Sequence, residues 1–358
     1  MASPADLESW LRLALTPGVG PRTARLLLKT FGSPEAVCSA SAGALEKVVP
    51  RVLAMALRSD SSNAAIQSSR AWADEPGNHV ITLADSDYPG MLFEIGDPPV
   101  VLFAKGRRDL LAAPSIAIVG SRNATAQGVT TARNFARAMS DAGLAVVSGL
   151  ALGIDTAAHE GALEGASSTI AVTGTGLDIV YPARNRALAH RIAEQGVMVS
   201  EFPLGTGAMA HNFPRRNRLI SGLARGVLVV EAAVKSGSLT TARLAAEQGR
   251  EVFAVPGSIH SPVSRGCHAL IKQGAKLVEG AQDVLEELHV PHAIPPLEAP
   301  SFAMLDPLLS HLGHDPCDLD TLAARSGLGI EVLSARLLEL ELEGLVASLP
   351  GGRYQRVS

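Results

Sequence analysis

Six short β-branched runs alternating with amphipathic stretches predict an α/β protein built on a doubly wound parallel sheet. The runs are SIAIV, LAVVS, STIAV, VMVSEF, GVLVVE and EVFAV, and between most of them lie stretches such as TTARNFARAMSDAG and ARNRALAHRIAEQG. Runs of about four to six apolar residues separated by helical spacing over ten or more are the pattern of strands buried on both faces. Aromatic residues make up only 4% of the chain while Gly and Pro number 34 and 22, which suits tight loops between strands and helices better than a β-sandwich. The expected fold is Rossmann-like.

The 358 residues leave room for flanking units on both sides of that sheet. Residues 1–76 alternate Leu- and Ala-rich helical stretches with short breaks, predicting an all-α domain. Its first break, TPGVGPRTARLLLKTFGS from Thr16 to Ser33, has the form of a helix-hairpin-helix. Gly18 and Gly20 permit a tight turn, Pro21 can start the second helix, and Ala24, Leu27 and Leu28 supply an apolar face. Such a turn could offer amides to a DNA phosphate beside Arg22, Arg25 and Lys29, or serve only as a packing module. The sheet domain is expected over 77–289. A Pro-rich linker then occupies 290–302 (VPHAIPPLEAPSF), and a small winged-helix domain, three helices and a hairpin turning at Gly351-Gly352, fills 303–358.

Charge is unevenly spread. Gly106 to Gly280 carries 18 Lys and Arg against 12 Asp and Glu, a surplus of six positive charges, and the rest of the chain carries 13 against 23. A basic centre fits a polyanion, and acidic ends fit protein partners. The winged helix holds eight acids and four bases, with Glu331, Glu339, Glu341 and Glu343 against Arg336 on its third helix, so it is expected not to read duplex DNA. The N-terminus lacks the basic and apolar regions of a secretory signal, and no apolar run approaches the ~18 residues of a membrane span. A cytoplasmic protein is expected. Cys38, Cys267 and Cys317 lie far apart without metal-ligand spacing, so neither disulfides nor a metal site are expected.

In an open parallel sheet, ligands bind beyond the carboxyl ends of the strands. The loops there are Gly120-Ser121-Arg122-Asn123, the segment Gly149 to Asp155 with Gly153, and Gly174-Thr175-Gly176. Glycines let amides approach an anion, and each following helix start adds a favourable dipole. Arg122 is joined by the cluster NFPRRNR, in which Arg215, Arg216 and Arg218 surround Asn217 behind Phe213. Arginine forks suit phosphate, and Phe213 could stack on an unpaired base. Some of these arginines could instead pair with Glu201 or Glu231. Ser236-Gly237-Ser238 ahead of Thr240 and Thr241 forms one more candidate phosphate site.

Two enzyme classes compete for such a sheet. A dinucleotide fingerprint G-x-G-x-x-G is missing after the first strand. A nucleotide-hydrolysing enzyme of the lysine-decarboxylase-like (Lonely Guy) type would place PGGxGTxxE on Ser236 to Leu244, and Leu244 stands where the catalytic Glu belongs. No P-loop, G-x-S-x-G or H-E-x-x-H is found, and His159, His190, His211 and His260 are scattered singly. No catalytic residue, cofactor or metal is expected.

The ordered series YPGMLFEIGDPPVVLFAKG, AIVGSRNAT, VVSGLALGIDTAAHEGAL, TGTGLDIVYPARNR, SEFPLG, NFPRRNRLISGLA, VVEAAVKSGSLTTARLAAEQGR and VFAVPGSIHSPVSRGCHALIKQGAKLV resembles the DprA (DNA-processing, Smf) family from about Tyr88 to Val278. The resemblance implies a protein of natural transformation that binds and protects incoming single-stranded DNA and helps load the RecA recombinase. It also implies a homodimer through the region from Cys267 to Gln273. By the same resemblance Gly120, Ser121 and Arg122 hold a phosphate, and Phe213, Arg216, Asn217 and Arg218 line the strand-binding pocket. The chain departs from some relatives at Ala210, where they carry a lysine.

Overall fold

The computed structural model describes residues 4–291, 306–313 and 315–357. Most of the expected linker therefore lies outside the described residues. The described residues begin with six α-helices, α1 (Pro4–Leu15), α2 (Pro21–Phe31), α3 (Pro34–Ser39), α4 (Ala42–Glu46), α5 (Arg51–Arg58) and α6 (Asn63–Ala73). Proline marks their starts at Pro21 and Pro34, where its missing N–H costs nothing, and Ser33 and Ser41 cap α3 and α4 through their hydroxyls. Gly18, with φ 85°, packs its backbone against Leu53 at the turn between α1 and α2. The helices do not fold around a separate core. Trp10, Leu27, Leu57 and Ile66 share one apolar cluster with Phe103 and Ile192 of the sheet domain, and the Trp72 and Phe103 rings meet edge to face at 5.8 Å.

Among the described residues the sheet has nine strands. They are β1 (Asn78–Thr82), β2 (Val101–Gly106), β3 (Ser115–Val119), β4 (Ala145–Ser148), β5 (Thr169–Val172), β6 (Val197–Ser200), β7 (Gly226–Val229), β8 (Glu251–Ala254) and β9 (Lys276–Leu277), in spatial order β1-β2-β6-β5-β4-β3-β7-β8-β9. All six expected strands are present and parallel from β6 across to β9. The sheet is mixed rather than wholly parallel, because β2 runs antiparallel to both β1 and β6.

Helices cover both faces. On one side α7 (Gly90–Phe93), α11 (Asn212–Leu223), α12 (Gly237–Glu247) and α13 (Arg265–Lys272) pack on Ala117, Val147, Val172 and Val229. On the other, α8 (Ala126–Asp141), α9 (Ile154–Glu164) and α14 (Ala281–Glu287) pack on Ile116, Ile118, Val146 and Leu228, with α10 (Arg186–Gln195) beside the N-terminal helices. Alternate residues of β3 thus enter opposite cores, as a pleated strand requires. From β3 the chain winds through α8 toward β4, and from β7 it winds through α12 toward β8. Adjacent strands β3 and β7 therefore feed opposite faces, and a crevice opens between their following loops.

The last unit contains α15 (Pro307–Leu312), β10 (Cys317–Asp318), α16 (Leu319–Ser326), α17 (Ile330–Leu342), β11 (Val346–Leu349) and β12 (Arg353–Arg356). This is the expected order of helices followed by a hairpin, with Gly351 and Gly352 both at positive φ in its turn. Its core is Leu309, Leu322, Leu333, Leu337 and Leu340. Strand β12 lies against α8, where Gln355 Nε2 donates to Gln127 Oε1 at 3.2 Å.

Candidate nucleic-acid interface

The crevice at the switch point is a cleft of about 750 Å³. Its first wall is the loop from Gly120 into α8. Gly120 is required there because a Cβ would meet Ile154 at 2.6 Å and the Glu231 carbonyl at 2.9 Å. Thr125 caps α8: its Oγ1 accepts from Gly128 N at 2.9 Å and donates to Glu231 Oε1 at 2.6 Å, while its N–H donates to Glu231 Oε2 at 3.0 Å. Glu231, at the end of β7, thereby ties the two walls together. Between these anchors Arg122 and Asn123 are left exposed on the rim.

The β4 loop supplies the floor. Leu150 adopts φ 58° and is held from both sides: its N–H donates to His159 Nε2 at 3.3 Å and its carbonyl accepts from Asn185 Nδ2 at 2.9 Å. Thr169 Oγ1 donates to Val146 O at 2.6 Å, so it accepts from His159 Nδ1 at 2.7 Å, which places the imidazole proton on Nδ1. Burial pushes His159 down to about 3, with the Arg216 charge adding to the effect, so this histidine is neutral. Asp155 Oδ2 accepts from Gly149 N at 3.1 Å and Ala151 N at 3.3 Å. Burial raises its carboxyl and the Arg216 guanidinium opposes that shift.

From α11 come the residues over this floor. Arg216 Nη1 donates to Val172 O at 2.8 Å, and its guanidinium lies where a side chain on Gly149 would be. Burial lowers Arg216 to about 10, Asp155 opposes the shift, and at neutral pH the group remains a cation. Phe213 lies over Gly174, where a Cβ would come within 2.9 Å of the ring. It tilts against Tyr181 with centroids 5.5 Å apart, and Arg122 Cζ stands 5.9 Å from its centroid. The opposite wall is the start of α12, where Ser236 Oγ accepts from Ser238 N at 3.3 Å and exposed Lys235 precedes the cap.

The structure thus brings Gly120, Ser121, Arg122, Asn123, Phe213, Arg216, Asn217, Ser236, Gly237 and Ser238 to one cleft. Six expected site residues do not line it. At Gly149, Gly153 and Gly176 the space of a Cβ is taken by Arg216, by the carbonyl of Ser121 and by the carbonyl of Pro203 respectively. Gly174 is the seat of Phe213. Arg215 and Arg218 turn toward buried Glu201, Arg215 at 3.2 Å and over the Phe202 ring, Arg218 in a closer pair that also donates to Asp97 O at 2.7 Å. Bracing by Glu201 is therefore realised, whereas Glu231 braces a threonine. Sequence reasoning missed Tyr181 and Lys235 and gave Asp155 no role beyond ending a loop; all three line the cleft. Lys235 directly precedes the capping serine, the one local signal that could have found it.

Comparison with known proteins decides the family. The family model for DNA recombination-mediator protein A matches residues 79–289, and that of the DprA winged helix domain matches 292–352. The chain belongs to the DprA/Smf family. It is 40% identical to Protein Smf of Escherichia coli K12 over 97% of this chain and 95% of that protein. It is 50% identical to the DNA processing protein DprA of Streptococcus pneumoniae R6 over 58% of this chain and 73% of that protein. Among solved structures, DprA from Streptococcus pneumoniae superposes with a TM-score of 0.71 at 38% identity, covering 78% of this chain and 97% of that one. DprA from Helicobacter pylori, solved for its single-stranded DNA binding mode, gives a TM-score of 0.53 at 31% identity over 59% and 96% of the two chains.

Proposed function

We propose that this DprA family member binds single-stranded DNA in the cleft between the β3 and β7 loops, protects the strand and loads RecA on it during natural transformation. The observation that carries the reading is the pairing of exposed cations with helix starts: Arg122 stands before α8 and Lys235 before α12, on facing walls of one cleft. A phosphate between them meets both charges and the positive ends of two helices. Phe213 and Tyr181 offer ring faces to an unpaired base, which a duplex keeps stacked away. The ssDNA binding described for the Helicobacter pylori relative supports the same choice.

The reading is non-catalytic. Among the described residues lining the cleft Asp155 is the one carboxylate, and one of its oxygens is committed to two backbone amides. General acid–base chemistry on a glycosidic bond would need a carboxyl free to exchange a proton with substrate. In this reading the protein works in the cytoplasm as a homodimer paired through α13, and RecA is its partner in strand loading. Among the described residues no helix is long and apolar enough to cross a membrane.

Fluorescence anisotropy of labelled oligo-dT and the matching duplex, across a salt series, tests the proposal. Wild type is expected to prefer the single strand and to weaken steeply with salt. Arg122→Ala should lose at least tenfold in affinity and flatten the salt dependence by about one phosphate contact, with an unchanged melting curve. Equal affinity of variant and wild type would overturn the site.

A further inference from the structure

Helix α17 carries leucine and valine on two sides, interspersed on the open one with charged residues, yet only one of those sides is covered. Leu333, Leu337 and Leu340 enter the core of the winged-helix unit, whereas Val332, Leu338 and Leu342 are exposed, Leu342 by 82%. A helix apolar on both sides ordinarily lies between two partners. Within the chain α17 contacts α16 and β11, and the unit turns the opposite strand, β12, toward α8. The open side of α17 also carries Glu331 and Glu339, with exposed Glu343 just past its end, and Arg336 is already engaged by Asp306 and Glu339. A phosphate backbone is repelled by such a surface.

A face of matching character and opposite sign is carried by the N-terminal helices. Helix α5 reads RVLAMALR, with basic residues at both ends and no acid. Ala54 and Leu57 are buried in the N-terminal core, whereas Val52 and Met55 are exposed, Val52 by 78%. Lys47 precedes it, and Arg51 is exposed although it lies 3.8 Å from Glu46. Each face alone would be an ordinary surface feature. Together they are complementary in both polarity and charge, and neither covers the other within one copy.

We infer that α17 of one copy docks on α5 of a second copy, with Leu338 and Leu342 over Val52 and Met55 and glutamates against arginines. The contact joins two different patches, so it is heterologous and can propagate from copy to copy, unlike a two-fold pairing through α13. It adds a second, salt-sensitive mode of self-association beside the pairing through α13.

Sedimentation velocity of the full chain over a concentration series, at low and high salt, tests this. The weight-average mass of wild type is expected to grow with concentration beyond a dimer at low salt and to stop growing at high salt. Leu342→Ser and, separately, Arg51→Glu should each abolish that growth without shifting the thermal melt, since both side chains are exposed. Mixing the two variants should restore association, because the Arg51→Glu chain keeps an intact α17 and the Leu342→Ser chain an intact α5. Wild type that never exceeds a dimer overturns the inference. So does loss of growth with Leu342→Ser but not Arg51→Glu, which would assign α17 to a different partner, or a mixture that regains nothing.

Discussion

At the scale of single residues the floor of the cleft is a set of backbone positions held by buried polar side chains. Leu150 in the left-handed region costs about 1–2 kcal/mol, and His159 and Asn185 offset this by binding its two peptide groups. This makes His159 a source of pH dependence. Its folded value of about 3 lies below the ordinary 6.5, so between those limits the unfolded chain binds a proton that the folded chain does not. Its contribution is complete above pH 6.5 and is lost by about 1.4 kcal/mol per unit as pH falls toward 3. Asp155 and Glu201, whose carboxyls burial raises, act in the opposite sense at lower pH. Urea unfolding at pH 7 and pH 5 should therefore show wild type losing about 2 kcal/mol more than His159→Gln across that interval. At Gly149 a new methyl would overlap the Arg216 guanidinium, so Gly149→Ala should displace that arginine and weaken oligo-dT binding at least tenfold in the anisotropy titration. The sequence makes these glycines conspicuous, but as openings for a ligand. Their close neighbours come from α11 and from the loops after β3 and β6, far away along the chain, and only the fold reveals how tightly they are packed.

At the scale of elements, the start of α8 is where the two walls of the cleft are joined. The Thr125 hydroxyl satisfies Gly128 N and one oxygen of Glu231, a carboxyl that burial already raises. Thr125→Val removes the cap and leaves Glu231 short of a donor, so chemical denaturation should report a loss of about 2–3 kcal/mol. Recovery of part of that loss in Thr125→Val with Glu231→Gln would confirm the buried charge as the cause. The central strands were legible because β3 to β8 are runs of small and β-branched residues that need burial on both faces. By contrast β1 reads NHVIT, β2 follows two prolines, and β9 has two exposed residues, so none of them carries a periodic signature. Nor can an antiparallel direction be read from one strand alone. The winged-helix hairpin was legible from Gly351-Gly352, which the turn places at φ 85° and 68°.

At the scale of the whole molecule, every described residue that lines the cleft lies between Val119 and Thr241. A chain ending near residue 291 should therefore bind oligo-dT within about twofold of the full protein, while failing to self-associate through α17; anisotropy and sedimentation of the shortened chain check both. The order of segments was readable because composition changes at each of them, from Leu- and Ala-rich helices to β-branched runs to an acidic helical unit. What composition could not reveal is that the N-terminal helices share their core with the sheet through Trp72 and Phe103. The placement of β2 has a consequence during synthesis. Its neighbour on the far side is β6, so the β2 edge of the β1–β2 pair stays unpaired after leaving the ribosome until residues 197–200 emerge. At about 5–20 residues per second that wait lasts roughly 5–20 s. Until then the backbone groups of Phe103 and Ala104 that pair with β6 in the finished sheet lack those partners, so this edge is a template for wrong pairing during translation that the finished protein no longer presents.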